Sequence, residues 1–264
     1  MNEMDKERNM LVVKHNDLIQ KASYNLTATE QKLIIYAISK IKPTDKELDK
    51  IEIRVDDFCS ICGIDKTYFY TEFKEIIDNL DAKSYWVQTD EKLFKFRWFS
   101  EAEYVNGEGK VRVLLNTNLK QYLLDLKEHF TEYELYNILA LKSKHSIRLF
   151  ELFKSYSYQS YISFDIEEFR KLLYIDTVTY KNFNNLKVKV LDRAIGEINK
   201  YTELEVEYEA ITKGRKVVEI AFHIKKKGTL DSYISYRNTI DKINEINGQI
   251  KGQMTIYDLF RDDQ

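Results

Sequence analysis

The sequence predicts an α+β chain folded as two similar halves in tandem. A strand-to-helix passage occurs twice, a longer amphipathic helix follows each copy, and a β-rich segment follows each helix. Ile53-Arg54-Val55-Asp56-Asp57-Phe58 alternates as a short strand and turns into a helix ending near Ile64-Asp65. Phe164-Asp165-Ile166-Glu167-Glu168-Phe169 does the same and ends near Ile175-Asp176. Val55 thus corresponds to Ile166, Phe58 to Phe169 and Ile64 to Ile175, at one constant offset.

The remaining elements follow in chain order. Thr27-Ala28-Thr29-Glu30 reads as a capping box, in which the Thr hydroxyl accepts from the third helical N–H and the Glu reaches back. A helical run through Leu33, Ile34, Ala37, Ile38 and Ile41 follows. Thr131-Glu132-Tyr133-Glu134 reads as the same box, opening a helix through Leu135, Ile138, Leu139, Leu149 and Phe153. The first longer helix turns Phe69, Phe73, Ile76, Ile77 and Leu80 to one face; the second turns Leu186, Val190, Leu191, Ala194, Ile195 and Ile198. The β-rich segments span 85–87, 94–99 and 111–115 with a turn at Asn106-Gly107, then 204–211 and 217–224 with a turn at Lys213-Gly214. Helix, strand, helix, helix, hairpin is the order of a winged helix. The expected fold is therefore two tandem pseudo-symmetric winged-helix domains, 1–129 and 130–228, with a partly flexible tail over 229–264. Two α+β domains of another kind are the alternative.

Composition excludes several classes. Eight glycines and one proline in 264 residues rule out collagen-like and linker-rich chains. No apolar run reaches the roughly 18 residues of a membrane span. The charged start, Met1-Asn2-Glu3-Met4-Asp5-Lys6-Glu7-Arg8, has no apolar segment behind it, so a cytoplasmic chain without a secretory signal is expected. Cys59 and Cys62 form a lone C-x-x-C, short of the four ligands of a zinc site, and read as small core residues. No phosphate-cradling G-x-x-x-x-G-K-[ST] occurs, and Gly107-Glu108-Gly109-Lys110 has the wrong spacing. No H-x-H stands ready to hold a metal beside a tyrosine nucleophile. Neither catalysis nor a cofactor or metal is expected.

Net charge is −2, but it is unevenly spread. Residues 131–230 hold 17 basic against 14 acidic side chains, whereas 1–130 hold 20 against 23. The two longer helices differ in the same sense: 66–83 is net −1 and 181–200 is net +3. Burying Leu186, Val190, Ala194 and Ile198 turns Asn185, Lys189 and Asp192 outward, flanked by Lys181, Asn182 and Arg193. Asn and Arg read base edges, while Lys chiefly neutralises phosphates. The DNA-facing candidates are therefore Lys181, Asn182, Asn185, Lys187, Lys189 and Arg193, with wing residues Lys213, Arg215 and Lys216 and the Lys225-Lys226-Lys227 run. The first half offers Lys66, Thr67, Tyr68, Thr71 and Lys74, with Lys92, Lys95 and Arg97 assigned to its wing. Lys142-Ser143-Lys144 is a further phosphate candidate, and Arg148 near Glu151 reads as a structural ion pair. A solvated helix face is the bland alternative.

Three motifs add a resemblance. Val13-Lys14-His15-Asn16-Asp17-Leu18-Ile19 with Leu26-Thr27-Ala28-Thr29-Glu30-Gln31-Lys32-Leu33 is the first. Phe130-Thr131 leading into Leu141-Lys142-Ser143-Lys144-His145-Ser146-Ile147-Arg148-Leu149-Phe150-Glu151-Leu152 is the second. The third is Val190-Leu191-Asp192-Arg193-Ala194-Ile195-Gly196-Glu197-Ile198-Asn199, followed by 205–208, Gly214-Arg215-Lys216 and Ile220-Ala221-Phe222. Together, over about 11–226, they resemble the iteron-binding, theta-type plasmid replication initiators, with Phe150 and His145 where that family more often has tyrosine. The resemblance implies a protein that binds repeated double-stranded origin sequences and helps open the origin. It also implies host helicase recruitment and a monomer/homodimer equilibrium in which the dimer represses its own gene. A tandem winged-helix transcriptional regulator, or a protein-binding adaptor, is the rival reading.

The tail lies beyond that match. Residues 229–248 read as a polar stretch with a short helix around Ile240, Ile243 and Ile246. Gln253-Met254-Thr255-Ile256-Tyr257 resembles the peptide by which bacterial replication proteins dock on the sliding clamp. Gln253 would fill a polar pocket there, and Ile256 and Tyr257 an apolar one. Packing of the tail on its own domain is the alternative.

Overall fold

The computed structural model describes residues 3–65, 69–88, 93–105, 108–176 and 178–248. It opens with α1 (Glu3–Arg8), β1 (Leu11–His15), α2 (Asn16–Gln20) and β2 (Ala22–Ser23). Helix α3 (Ala28–Ser39) starts at the expected capping box. The Thr27 hydroxyl accepts from Glu30 N at 3.2 Å, and Glu30 Oε2 accepts from Thr27 N at 2.7 Å. Strand β3 (Ile51–Arg54) runs directly into α4 (Val55–Cys62), and α5 (Phe69–Ala82) follows. Then come β4 (Ser84–Gln88), β5 (Leu93–Arg97), β6 (Phe99–Val105) and β7 (Lys110–Leu115), and a short α6 (Lys120–Leu123).

The second half repeats the plan. After β8 (Phe130–Glu134) and α7 (Tyr136–Leu139), α8 (Lys144–Ser155) plays the part of α3. Strand β9 (Tyr161–Asp165) runs into α9 (Ile166–Leu172) as β3 runs into α4. A continuous helix then covers 183–201: α10 (Phe183–Leu186), a π-helical turn (Lys187–Leu191) and α11 (Asp192–Tyr201). The wing is β10 (Leu204–Lys213) with β11 (Lys216–Lys226), and α12 (Thr229–Ile246) ends the described chain but for Asn247 and Gly248.

The sheets carry the pseudo-symmetry. The first half has strand order β3-β7-β6 and the second β9-β11-β10, so the strand before each α4-like helix pairs with the last wing strand. Phe58 and Phe169, matched in sequence, are both fully buried beneath these sheets. Every inward residue expected on the second long helix (Leu186, Val190, Leu191, Ala194, Ile195, Ile198) is buried. Phe73, Ile77 and Leu80 of α5 are buried likewise. Cys59 and Cys62 lie in the core, where burial raises the Cys62 thiol to about 12.

Four expectations are corrected. Thr131-Glu132-Tyr133-Glu134 is not a helix cap but strand β8, paired antiparallel with β1 from Leu11↔Glu134 to His15↔Phe130. The Thr131 hydroxyl donates to Asn16 Oδ1 at 2.6 Å instead of capping. The single helix expected behind it is two, α7 and α8, because Ser143 caps a new start by accepting from His145 N. Lys95 and Arg97 do not belong to the first wing. They sit on the β4–β5 hairpin, which pairs with β2 as a separate sheet, while the wing matching β10–β11 is β6–β7. Finally, the short helix of the tail is the 18-residue α12. It buries Ile240 and Ile243, stacks Tyr236 edge-on against Tyr136, and reaches back to α4 through Asn247 Nδ2 on Ser60 O at 2.9 Å.

Candidate nucleic-acid interface

The candidate face is built by the helix over 183–201. Asn182, itself exposed, caps it by accepting from Asn184 N at 2.8 Å, which fixes the helix start. Lys181, Asn184, Asn185, Lys187, Val188, Lys189, Asp192 and Arg193 are exposed along it. The π turn explains the pattern: Lys187, Val188 and Lys189 are three exposed residues in succession, and Val190 and Leu191 are two buried ones. Such turns are frequent at functional sites. Asn184 and Val188 were not foreseen, because a strict 3.6-residue period does not allow for the extra residue. Gly196 is exposed on the same helix, and a Cβ there would meet nothing within 4 Å.

Intramolecular partners sort the expected cations. Arg193 Nε pairs with Glu197 Oε1 at 3.3 Å, and Lys187 Nζ with Asp192 Oδ2 at 3.4 Å. Asp192 also accepts from the Tyr208 hydroxyl, so it is fixed between helix and wing. Lys181, Lys189, Lys213, Arg215 and Lys216 are exposed and make no side-chain hydrogen bond or ion pair among the described residues. Gly214, with φ +65°, makes the turn that brings the last three to the wing tip.

Of the Lys225-Lys226-Lys227 run, Lys227 turns into the fold, while Lys225 and Lys226 are exposed and ion-paired. Lys227 Nζ donates to Asn199 O, Thr202 O and Ser235 Oγ at 2.5–2.9 Å, satisfying carbonyls at the C-terminus of α11. Burial lowers its pKa. Lys225 pairs with Glu205 and Lys226 with Glu203, each at 3.4 Å. Lys142 N and Ser143 N donate to Glu197 Oε2, and Lys144 Nζ to Asn25 Oδ1, so this segment joins the two halves. His145 beside it is held near pKa 4 by burial and by the charges of Lys144 and Arg193, and stays neutral. Arg148 is structural as expected, though its partner differs: Nη2 donates to Ala22 O at 2.5 Å while Glu151 is taken by Lys14 and Tyr133.

In the first half Lys74 is exposed, with Nζ 5.7 Å from the Tyr104 ring centre. Lys95 lies 5.1 Å over Trp86, and Arg97 pairs with Asp81 at 3.5 Å. Lys66, Thr67, Tyr68, Lys92, Gln253, Met254, Ile256 and Tyr257, and the side chain of Thr71, lie outside the described residues. Among the described residues no helix is long and apolar enough to cross a membrane, and no group of three His, Cys, Asp or Glu stands together for a metal.

Comparison with known proteins agrees with this architecture. A replication initiation protein of Escherichia coli is 22% identical over 248 residues, spanning 89% of this chain and 76% of the relative. A 27.6 kDa protein of Escherichia coli is 22% identical over 232 residues, spanning 82% and 97%. Among solved structures, the Pi initiator protein in complex with iteron DNA matches with a TM-score of 0.69 at 19% identity, over 83% of this chain and 98% of that one. That likeness establishes the shared fold. Residues 11–154 match the family described as Initiator Replication protein, WH1, and residues 165–224 the one described as Initiator Rep protein, WH2. With two winged helices in tandem and both family signatures in order, the chain belongs to the initiator replication protein family.

Proposed function

We propose that the chain initiates plasmid replication by binding iterons, the direct repeats of an origin, as double-stranded DNA. One observation carries this: the second winged helix presents Lys181 just before its long helix, Lys189 on it, and Lys213, Arg215 and Lys216 at the wing tip, all exposed and without side-chain partners among the described residues. Phosphates are the partners such cations fit. The Pi initiator, which shares the fold, was solved bound to iteron DNA. Asn185 and Arg193 take the base-reading roles; Asn182 and Lys187 flank them. Lys66, Thr67, Tyr68, Thr71, Lys74, Lys95 and Arg97 form a weaker second contact. The bound protein acts without catalysis, in the cytoplasm, and its work is to help open the origin and recruit the host helicase. Gln253, Met254, Ile256 and Tyr257 dock on the sliding clamp, and a homodimer represses the gene.

The test is a titration of the full-length protein with a duplex carrying the tandem repeats that flank its gene and with a scrambled duplex. Tighter binding to the repeats is expected. Asn185→Ala is expected to lose about 1–3 kcal/mol on its cognate base pair and little on scrambled DNA. Equal affinity for both duplexes refutes the reading. Origin-dependent replication in a host lacking the protein separates an initiator from a pure regulator.

A further inference from the structure

We propose that Val188 reads a thymine, packing its isopropyl group against the 5-methyl in the major groove. This rests on the DNA-binding reading above and adds a specificity determinant to it.

Val188 is 55% exposed, on a face otherwise made of Asn, Lys, Asp, Arg and a glycine. It stands one helical step of four residues from Asn184 and from Asp192, at the middle of the outward face. The local fold does not account for an apolar side chain here. Val190 and Leu191 fill the core beneath, and Val188, more than half exposed, is not one of the buried core residues. Valine is a poorer helix former than the Lys, Gln or Ala that suit a solvated position. The π turn swings it outward together with Lys187 and Lys189, and those two cations bracket it. Lysines on phosphates at either side carry the residue between them into the groove. The one apolar feature of the major groove is the thymine methyl, and short apolar side chains are its usual partners. The N-terminal part of a recognition helix is also the part that meets base edges.

The experiment begins with a duplex selected from a random-sequence pool by the full-length protein. Each thymine is then replaced singly by deoxyuridine, which lacks only the methyl, and affinities are measured at fixed salt for the unaltered protein and for Val188→Ala. At one thymine the unaltered protein is expected to bind about fourfold more weakly, the effect of unburying one methyl group. Val188→Ala is expected to bind the thymine and deoxyuridine duplexes equally there, and to keep its sensitivity at the other base pairs. Because the side chain is largely exposed and alanine is the better helix former, the variant should unfold at the unaltered temperature or slightly above it. The inference is overturned if no thymine matters to the unaltered protein, or if Val188→Ala shows the same loss. Failure to select any duplex overturns the DNA-binding reading as well; selection without a methyl effect overturns this inference alone.

Discussion

The two winged helices share one scaffold and differ in where their charges go. In the first, the wing's charges are tied to the adjoining strand β3 and its approach: Lys50 bonds Glu101 at 2.5 Å, Lys110 pairs with Glu52 and with Glu108, and Arg112 with Glu52. Its long helix α5 carries Glu72, Glu75, Asp78 and Asp81 on exposed positions. In the second, the ion pairs lie along the body of the hairpin, at Lys225–Glu205 and Lys226–Glu203, and the tip cations are unpaired among the described residues. Repetition of the fold therefore does not entail repetition of its surface charge. A sheet order is fixed by apolar positions such as Phe58 and Phe169, and leaves the exposed face free to diverge.

The largest expected effect probes what the halves share. Lys14 of β1 and Tyr133 of β8 both bond Glu151 of α8 at 2.5 Å, in a seam where Glu151 is 1% exposed. Burial lowers the Lys14 pKa, opposed by the adjacent carboxylate. Glu151→Ala leaves that ammonium buried without its partner and should cost about 3–5 kcal/mol. The triple replacement Lys14→Met, Tyr133→Phe, Glu151→Leu should recover most of it, since it removes both charges and the buried hydroxyl that Glu151 accepts from. A single calorimetric transition is expected throughout. Two separate transitions would mean the halves are independent bodies, and the comparison would then be between two proteins on one chain.

A smaller effect probes what they do not share. Replacing Lys189, Arg215 and Lys216 together by Ala should reduce the slope of log affinity against log salt by about 2.7, and affinity roughly 100-fold near physiological salt. A triple change of the first half's cations, Lys74, Lys95 and Arg97 to Ala, should reduce the slope by less, since Arg97 is paired with Asp81 and Lys95 rests on Trp86. Equal slopes for the two triple variants would break the contrast drawn here.

Much of this contrast was legible in the sequence, and most of the failures have a common physical origin. The strand-to-helix passages and the inward faces follow local periodicity, and they emerged as expected. Thr131-Glu132-Tyr133-Glu134 satisfies the local code of a cap, yet its fate is decided by strand β1, more than a hundred residues earlier. The fate of Lys227 is decided likewise by carbonyls at Asn199 and Thr202. Charge in a sequence says how many cations there are; only the fold says which are already taken. Val188 was missed for a different reason, since nothing in a 3.6-residue count marks a π turn.

The smallest expected effect concerns one backbone position that the halves hold in common. Gly63 ends α4 at φ +61°, and its counterpart at the same offset, Tyr174, follows α9 at φ +51°. Both backbones are left-handed, and only one residue is glycine. The difference lies in what stands above them. A Cβ at Gly63 would come within 3.2 Å of the Ile243 backbone, because α12 packs there, whereas Tyr174 is 50% exposed. The difference in stability between Tyr174→Gly and Tyr174→Ala measures the left-handed penalty alone, about 1–2 kcal/mol. Gly63→Ala should cost that penalty and a further increment for displacing α12, with faster amide exchange along 240–247 as its local signature. If Gly63→Ala costs no more than the backbone term, the docking of α12 on the first half imposes no constraint at Gly63, and the glycine there answers to φ only.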